Sequence, residues 1–572
     1  MARYGSDLVV DLLKAGGIEY VALNPGATFR ALHDSLAAPG APETIVVLHE
    51  EIAVGIAHGY AKSCGRPMAV FLHDQVGLQH ASMALFNAWV DAVPMVVVGG
   101  SGPRDTAQRR PWIDWIHSAN PEAGVVRDIV KWDAEPASVE ALPDVIARAL
   151  RIAMTPPMGP VYVAVDIMIQ EADATSVAVP GSFTPPPAPV TAPRHVVASV
   201  ADELVAAQSP VILVDRGSDG CAPALLRLAE QLAVPVVDLG GRSFPAEHWA
   251  DRSSAVADVL GEADLVLGVE LRDLTWGLGD VDLRTRALHR RVAADAKVFS
   301  IGLNELRHHG TMELEAFDQT ATPIVADSAT FLQELAEEVA GRDADAGLVQ
   351  RRRAALTTAH DAERAAHRAR AAGMADEAPI APIHLAAVLG SVLGHDGWQL
   401  ANGLLGHWPR RLWPMVDERS FLGRSGGEGL GYGMPASVGA ALAQRDSDVL
   451  VVNVQADGDL MYTPQALWTA AHHNLPLLTV VHNNRTYGRD EVHQLEIAHA
   501  RGRATDVPPR GIRLEAPNID FAQLAESQGV QGIGPVEDPG ALFEVLESAA
   551  ATVRRERRPV LVDVITNRDL AR

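Results

Sequence analysis

The feature that most constrains the fold of this 572-residue chain is the alternation of short β-branched runs with helical stretches. Before residue 177 the strand-like runs are YVALNP, TIVVLH, MAVFLH, PMVVVGG and PVYVAV. The pattern returns twice, first with PVILVD, PVVDLG, DLVLGVE and KVFSIG, then with DVLVVNVQ, LLTVVHNN and PVLVDVIT. Such alternation predicts parallel sheets with crossover helices. We therefore predict an α/β protein made of three doubly wound parallel-sheet domains.

Two segments separate these stretches. Val177–Arg194 is dense in proline and cannot continue a helix or a central strand, so it is interpreted as a linker. Leu348–Gly373 is rich in alanine and charge, which favours a solvated inter-domain helix over a nucleic-acid-binding one. The predicted domains are residues 1–176, 195–341 and 379–572, and the chain length suits about three domains.

Charge and composition argue against several classes of partner. A formal net charge of -24, without a block of Lys and Arg, is unsuited to a phosphate backbone, so we expect no nucleic acid. The apolar runs are far shorter than the roughly 20 residues that span a bilayer, and the first residues predict an amphipathic helix. The two cysteines, Cys64 and Cys221, form no CxxC pair, which favours a reducing cytoplasm.

The strongest local signal is Val451–Gly488, in which polar residues follow two apolar runs. Asp457 ends the first run, and Asn484 follows the second. Because ligands bind at the carboxyl ends of parallel strands, we expect these side chains to meet there. Hard oxygen ligands suit Mg²⁺ shared with phosphate and water. Taken singly, Asp457-Gly458 and Asn483-Asn484 are more typical of a turn and a strand-ending loop than of a metal site.

Together these residues resemble the motif of the thiamine-diphosphate enzymes, which has Gly-Asp-Gly and then Asn-Asn about two dozen residues later. Here 24 residues separate Gly458 from Asn483. The resemblance implies that Asp457, Asn484 and the Thr486 carbonyl hold Mg²⁺. It also places Gly458, Asp459 and Tyr487 beside the cofactor.

Two residues depart from the motif. Ala456 replaces the usual first glycine, and Asp459 stands where a serine often contacts the diphosphate. The Asp459 carboxylate would repel a nearby phosphate group unless its surroundings compensate the charge.

The resemblance also implies a glutamate in the first domain that forms a hydrogen bond to the aminopyrimidine ring. Glu50 precedes Gly59-Tyr60 by nine residues, as in the family, whereas Glu51 is out of register by one. The alternative is a pair of carboxylates at a helix start, where the helix dipole favours them. His49-Glu50 lacks the HExxH spacing, so a zinc site is not expected.

Gly426–Ala443 resembles the family segment that lies under the cofactor. The resemblance implies that Leu430 bends the cofactor and that the Glu428 carbonyl accepts a hydrogen bond from its amino group. Without the family, Gly431–Ala436 is a GxGxxA segment that could indicate a dinucleotide fold or a plain helix start. A loop at Asn402–Gly406 replaces the usual diphosphate loop, so backbone N–H groups near Gly403 and Leu404 would bind phosphate.

Several stretches resemble benzoylformate decarboxylases, including DIVKWDAEPASVEALP and QALWTAAHHNLP. Asn24-Pro25-Gly26 matches their cofactor-side loop, but Ala27 stands where they carry a serine that binds the substrate carboxylate. His73 occupies the place of one of their two active-site histidines, and a structural role is an equal alternative. The stretch aligned with the second histidine is Arg272–Trp276, which contains none.

Another aromatic segment is RRPWIDWIHSAN. Trp112, Trp115 and His117 in it are predicted to line a substrate pocket or a dimer contact, with aromatic core packing as the alternative.

The resemblance implies thiamine-diphosphate-dependent, non-oxidative decarboxylation of a 2-oxo acid, with possible carboligation to an aldehyde acceptor. The alternatives are an acetolactate-synthase-like carboligase or another 2-hydroxyacyl lyase and, from other classes, a nucleotide-dependent oxidoreductase or a non-catalytic paralogue. Many acetolactate synthases bind FAD, but the middle domain contains no recognisable FAD fingerprint. The resemblance further implies a homodimer or homotetramer in which Glu50 and Asp457 of one active site come from different chains.

Overall fold

The computed structural model describes residues 3–282, 285–307, 321–395, 397–506 and 510–568. Its first unit is a parallel six-stranded sheet of order β2-β1-β3-β4-β6-β5. The strands are β1 Tyr20–Leu23, β2 Glu43–Val46, β3 Met68–His73, β4 Met95–Ser101, β5 Trp132–Ala134 and β6 Pro160–Asp166. The helices are α1 Gly5–Ala15, α2 Arg30–Leu36, α3 Glu50–Cys64, α4 Asp74–Val90, α5 Ile113–His117, α6 Leu142–Met154 and α7 Ile167–Gln170.

The second unit is a parallel five-stranded sheet of order β13-β12-β9-β7-β8, beside an antiparallel pair β10-β11. The strands are β7 Pro210–Val214, β8 Val236–Asp238, β9 Leu265–Val269, β10 Gly279–Val281, β11 Leu288–Arg290, β12 Lys297–Gly302 and β13 Thr322–Val325. The helices are α8 Arg194–Ala206, α9 Cys221–Leu232, α10 Val256–Gly261, α11 Leu274–Leu278 and α12 Ser328–Ala340, followed by the mostly exposed α13 Ala346–Gly373.

The third unit is a parallel five-stranded sheet of order β14-β15-β16-β18-β17. The strands are β14 Trp398–Gly403, β15 Leu450–Ala456, β16 Leu477–Asn483, β17 Gln531–Val536 and β18 Val560–Ile565. The helices are α14 Pro382–Leu393, α15 Trp408–Leu412, α16 Gly433–Ala443, α17 Asp457–Leu460, α18 Ala466–His472, α19 Gly488–Ala500, α20 Phe521–Ser527 and α21 Leu542–Glu556.

The predicted α/β class with three doubly wound parallel sheets is confirmed, and each strand-like run of the sequence forms a strand. The missed strands are β5, β10, β11, β13, β14 and β17. Most are short or only half buried, so they lack a continuous apolar run. The proline-rich linker contains no helix or strand before α8 begins at Arg194.

The first and third units share one hydrophobic core, in which α3 packs along α16. The two helices approach closely because glycines face the partner backbone. A Cβ atom on Gly59 would lie 1.9 Å from the Ala436 carbonyl oxygen, and one on Gly439 would lie 2.0 Å from that of Ile56. Within the described residues, no helix is long and apolar enough to cross a membrane.

Candidate active site

The predicted metal residues lie at the carboxyl ends of the neighbouring parallel strands β15 and β16. Asp457 begins α17 directly after β15, and Asn484 follows β16; both are buried. Asp457 Oδ2 accepts a hydrogen bond from the Arg485 N–H at 2.7 Å, which ties the two strand ends together. Asn484 Oδ1 accepts from the Thr486 N–H at 3.1 Å. The two strand ends therefore lie together, joined through the Arg485 backbone, and a shared metal between Asp457 and Asn484 stays a prediction.

These oxygens are of the kind that suits a divalent cation. Burial raises the pKa of Asp457 to about 6, against the opposing effect of its backbone hydrogen bonds. A nearby cation would stabilise the charged form of such a carboxylate, because a buried charge has lost its hydration. Gly458 is packed under the Tyr487 ring, where a Cβ atom would lie 2.5 Å from Cε1. Oxygen-only donors match the ligand preference of Mg²⁺.

Asp459 points into the protein interior, which accounts for the second acidic residue of the motif. Its Oδ1 accepts from the Gly431 N–H at 2.8 Å, and its Oδ2 accepts from the Gln455 amide. Burial raises the pKa of Asp459 above its ordinary value, although these hydrogen bonds oppose the change. The side chain thus anchors the start of α16.

Strand β14 corrects one prediction of the sequence. Asn402 and Gly403 do not lie in a loop but close this buried strand, and Leu404, Leu405 and Gly406 lie beyond it. Asn402 donates hydrogen bonds of 3.0 Å to Asn453 Oδ1 and to the Val454 carbonyl. The Leu404 N–H donates to the same Val454 carbonyl at 3.1 Å, so it is already paired. Strand β14 is fully buried, but its sequence WQLANG has no β-branched residue and includes two polar ones, so it lacks the run that identified the other buried strands.

The segment before α16 presents Leu430 and Glu428 at the surface of the chain. Leu430 is 37% exposed, and Glu428 adopts a left-handed backbone with a φ of 50°. Asn87 of α4 fixes the segment through hydrogen bonds with both the N–H and the carbonyl of Gly429. An apolar side chain held free of the core is available to contact a ligand. The GxGxxA segment is a helix start, since no strand directly precedes α16.

Glu50 begins α3 and is 6% exposed. Both of its oxygens have partners. Oε1 accepts from the Asn24 amide at 2.9 Å, and Oε2 lies 3.1 Å from His80 Nδ1. Burial acts to raise the pKa of Glu50, but the hydrogen bonds from Asn24, the backbone and His80 outweigh it and hold the pKa below its ordinary value. The carboxylate is therefore ionised near neutral pH.

Glu51 has different surroundings. Burial, and then the charge of Asp459, raise the pKa of Glu51 to about 7. A Cβ atom on Gly431 would lie 3.0 Å from Glu51 Oε1, so this side chain points toward the third unit. Glu50 therefore contacts residues of the first unit, whereas Glu51 faces the third.

The side chains of His49, Glu50 and His80 form a cluster whose candidate ligand atoms lie within 4.8 Å of one another. The hydrogen bonds argue against a metal there. His49 Nδ1 accepts from the Glu51 N–H at 3.2 Å, so a neutral His49 carries its proton on Nε2 and has no second lone pair to offer. The cluster is better described as a hydrogen-bonded group around Glu50.

His73 ends β3 beside the Asn24-Pro25-Gly26 loop. A Cβ atom on Gly26 would lie 2.3 Å from His73 Cβ, so glycine permits the loop to pack there. Thr28 Oγ1 and His73 Nδ1 are 2.8 Å apart, and the rings of His73 and His117 lie edge to face at 5.1 Å. Burial lowers the pKa of His73, which keeps the imidazole neutral and able to accept a proton.

The alternative of aromatic core packing is wrong for Trp112 and Trp115, which are 70% and 77% exposed. His117 lies on the same short helix, α5, and brings this exposed aromatic segment against His73. A helix this short carries too few residues for periodicity to reveal its buried face.

The predicted site residues form two groups. One group lies at the carboxyl edge of the first sheet (Asn24, Pro25, Gly26, Glu50 and His73), and the other lies at that of the third sheet (Gly403, Leu404, Glu428, Leu430, Asp457, Gly458, Asp459, Asn484, Thr486 and Tyr487). Within the described part of the chain, the hydrogen bonds of Glu50 and His73 stay in the first group's unit, and those of Asp457 and Asn484 stay in the third.

Sequence reasoning missed His80 and Thr28. Neither lies in a recognised motif. His80 follows Gly77 by three residues on α4, which puts both on the helix face above Glu50. That spacing becomes informative only once α3 and α4 are known to be neighbours.

The arrangement matches known proteins over nearly the whole chain. Residues 3–121 match the N-terminal TPP binding domain of thiamine pyrophosphate enzymes, and residues 401–564 match their C-terminal TPP binding domain. Benzoylformate decarboxylase of Pseudomonas aeruginosa is 28% identical, with 97% of each chain covered. The large subunit of acetolactate synthase isozyme 3 of Escherichia coli is 26% identical over 98% of this chain and 94% of that protein.

Solved structures show the same fold. Benzoylformate decarboxylase from Polynucleobacter necessarius superposes with a TM-score of 0.77 at 20% identity, covering 100% of this chain and 99% of the other. The fold and the two binding domains define a thiamine-diphosphate-dependent enzyme. The chain belongs to the thiamine pyrophosphate enzymes, in the group that includes decarboxylases and acetolactate synthases.

Proposed function

We propose that this enzyme cleaves the bond between the carboxylate and the carbonyl carbon of a 2-oxo acid, releasing CO₂ without oxidation. The observation that carries the proposal is the presence in one chain of a buried, ionised Glu50 and an oxygen-lined strand end at Asp457 and Asn484. A protein that bound the cofactor only for assembly would not require a buried, ionised Glu50. The 28% identity to a benzoylformate decarboxylase supports the same reaction class.

The roles that we propose follow from the chemistry of each group. When bound, thiamine diphosphate supplies an electron sink for the bond beside the carbonyl. Asp457, Asn484 and the Thr486 carbonyl would hold Mg²⁺, and Glu50 would form a hydrogen bond to the pyrimidine ring and exchange a proton with it. His73, neutral and half buried, moves a proton at the substrate.

The site differs from that of a benzoylformate decarboxylase where the carboxylate of the 2-oxo acid would bind. Ala27 offers no hydroxyl group to the substrate carboxylate, and the neighbouring Thr28 hydroxyl is paired with His73 Nδ1. The chain therefore lacks the serine contact that a benzoylformate-specific site would use. Carboligation with an aldehyde acceptor is the second candidate, favoured by the 26% identity to an acetolactate synthase.

A panel of 2-oxo acids tests the proposal. Purified enzyme with thiamine diphosphate and Mg²⁺ is assayed for CO₂ release, with and without aldehyde acceptors. Release of CO₂ and free aldehyde indicates a decarboxylase, whereas a 2-hydroxy ketone indicates a carboligase. If the protein neither binds the cofactor in the presence of Mg²⁺ nor acts on any donor, the proposal is wrong.

We also propose a homodimeric or homotetrameric assembly with active sites shared between chains. The separation of the hydrogen-bond networks of Glu50 and Asp457 within one chain supports this arrangement.

A further inference from the structure

The environment of Glu50 raises a question of proton access. Under the proposed function this carboxylate gives up and takes back a proton in each cycle, yet only 7% of its side chain is exposed. A buried carboxylate needs a carrier to exchange that proton with water. Gly77 and His80 of α4 cover Glu50, since a Cβ atom on Gly77 would lie 3.1 Å from Glu50 Cγ.

His80 reaches both the carboxylate and solvent. Its Nδ1 lies 3.1 Å from Glu50 Oε2, while 54% of its side chain is exposed. An ionised carboxylate only accepts hydrogen bonds, so Nδ1 must carry the proton. In the neutral ring Nε2 then has a free lone pair that can take a proton from water.

His49 holds this ring in place and does not compete for its proton. The two imidazoles are stacked, with centroids 5.0 Å apart and planes 19° from parallel. His49 Nδ1 accepts a hydrogen bond from the Glu51 N–H. Among the described residues, His80 thus contacts a stacked histidine and the carboxylate itself.

We propose that His80 is the proton relay between Glu50 and solvent, an inference that rests on the proposed function. In the inward direction, Nε2 takes a proton from a hydronium or buffer acid, the Nδ1–H bond breaks, and an O–H bond forms on Glu50. In the outward direction the Glu50 proton returns to Nδ1 while the Nε2 proton passes to water. Because the two directions alternate, the ring recovers its starting tautomer without flipping.

Exchange of the C2 hydrogen of bound thiamine diphosphate with deuterium tests the relay without knowledge of the substrate. His80→Asn keeps an N–H donor for Glu50 but cannot carry a proton, so we expect exchange about 10- to 100-fold slower. Free imidazole in the buffer should restore much of the lost rate. His195→Asn, an exposed histidine on α8, is the matched control and should behave as wild type.

Two further measurements separate a relay from a structural role. Cofactor affinity of His80→Asn should equal that of wild type, and a weakened affinity would indicate a merely structural role. In cofactor-free protein labelled with ¹⁵N-histidine, the neutral His80 ring should carry its proton on Nδ1. A proton on Nε2 alone, or wild-type exchange in His80→Asn, overturns the relay. If wild type does not accelerate exchange over free cofactor, the proposed function itself fails and the relay with it.

Discussion

Two adjacent glutamates show how one residue position changes the chemistry of a side chain. Glu50 and Glu51 begin the same helix, but successive helical residues point about 100° apart. Glu50 therefore faces Asn24 and His80, and Glu51 faces Asp459. The first glutamate has a lowered pKa and the second a raised one.

We predict that Glu50→Gln lowers turnover by about 10²- to 10³-fold while cofactor binding is retained, because the amide cannot exchange a proton. Glu51→Gln is the matched control and should lose far less activity. The measurement is steady-state CO₂ release together with cofactor titration. Comparable losses in both variants would contradict the assignment of Glu50.

Glu51 should make stability depend on pH. In the folded chain its pKa is raised from 4.5 to about 7, so between these values the unfolded state releases the proton while the folded state keeps it. Stability is therefore lost as pH rises through this window. We expect Glu51→Gln to raise the Tm of cofactor-free protein by about 1–3 °C at pH 8. At pH 4.5 the variant should match wild type, and an equal shift at both pH values would argue against this titration.

At the level of elements, the contact between α3 and α16 places both binding regions. Helix α3 begins at Glu50, and α16 begins at Gly433, three residues after Leu430. The close packing of the two helices therefore holds Glu50 and Leu430 at the ends of one shared hydrophobic core. Glycine makes this approach possible, because a Cβ atom on Gly439 would overlap the backbone of Ile56.

We predict that Gly439→Ala forces the helices apart and destabilises the protein by about 1–3 kcal/mol. Gly373→Ala, at the exposed end of α13 where a Cβ atom meets nothing within 4 Å, is the control and should be neutral or slightly stabilising. Thermal unfolding of the two variants measures the difference. Equal Tm values for the two variants would contradict the prediction, because they would show that the helices accommodate the added methyl group.

On the scale of the whole molecule, Asp91 joins the first and second units. This buried carboxylate accepts from His58 Nε2 at 2.7 Å and from Lys62 at 3.2 Å, and it pairs with Arg216 of the second unit. Burial acts to raise the pKa of Asp91, but Arg216, Lys62 and His58 hold it well below its ordinary value. The stabilising charge is complete at neutral pH and is lost only in strong acid.

We predict that Asp91→Asn costs about 3–5 kcal/mol, because it leaves buried cations without their partner. Asp280→Asn removes a half-exposed ion pair with Arg291 and should cost less than about 1 kcal/mol. Limited proteolysis and thermal unfolding would reveal loosening of the second unit in the first variant. Unchanged protease resistance would contradict it.

Sharing of active sites between chains can be tested by mixing two inactive variants. If Glu50 and Asp457 of one site come from different chains, a hybrid of Glu50→Gln and Asp457→Asn chains contains one intact site. Co-refolded dimers should then regain about a quarter of wild-type activity under random pairing. If both residues of a site belong to one chain, every site keeps a defect and no activity returns.

The sequence alone determined the three sheets and the two cofactor-binding segments, because buried parallel strands and strand-end motifs are local patterns. Through the resemblance to the family motifs it also predicted Glu50, Asp457 and Asn484 as site residues, and their roles stay predictions. Only the tertiary structure decided which side chains surround them. His80 reaches Glu50 from another helix, Asn402 closes a strand instead of a loop, and Trp112 is exposed. Contacts between distant segments depend on how helices and sheets pack, and a single sequence does not encode that packing as a readable pattern.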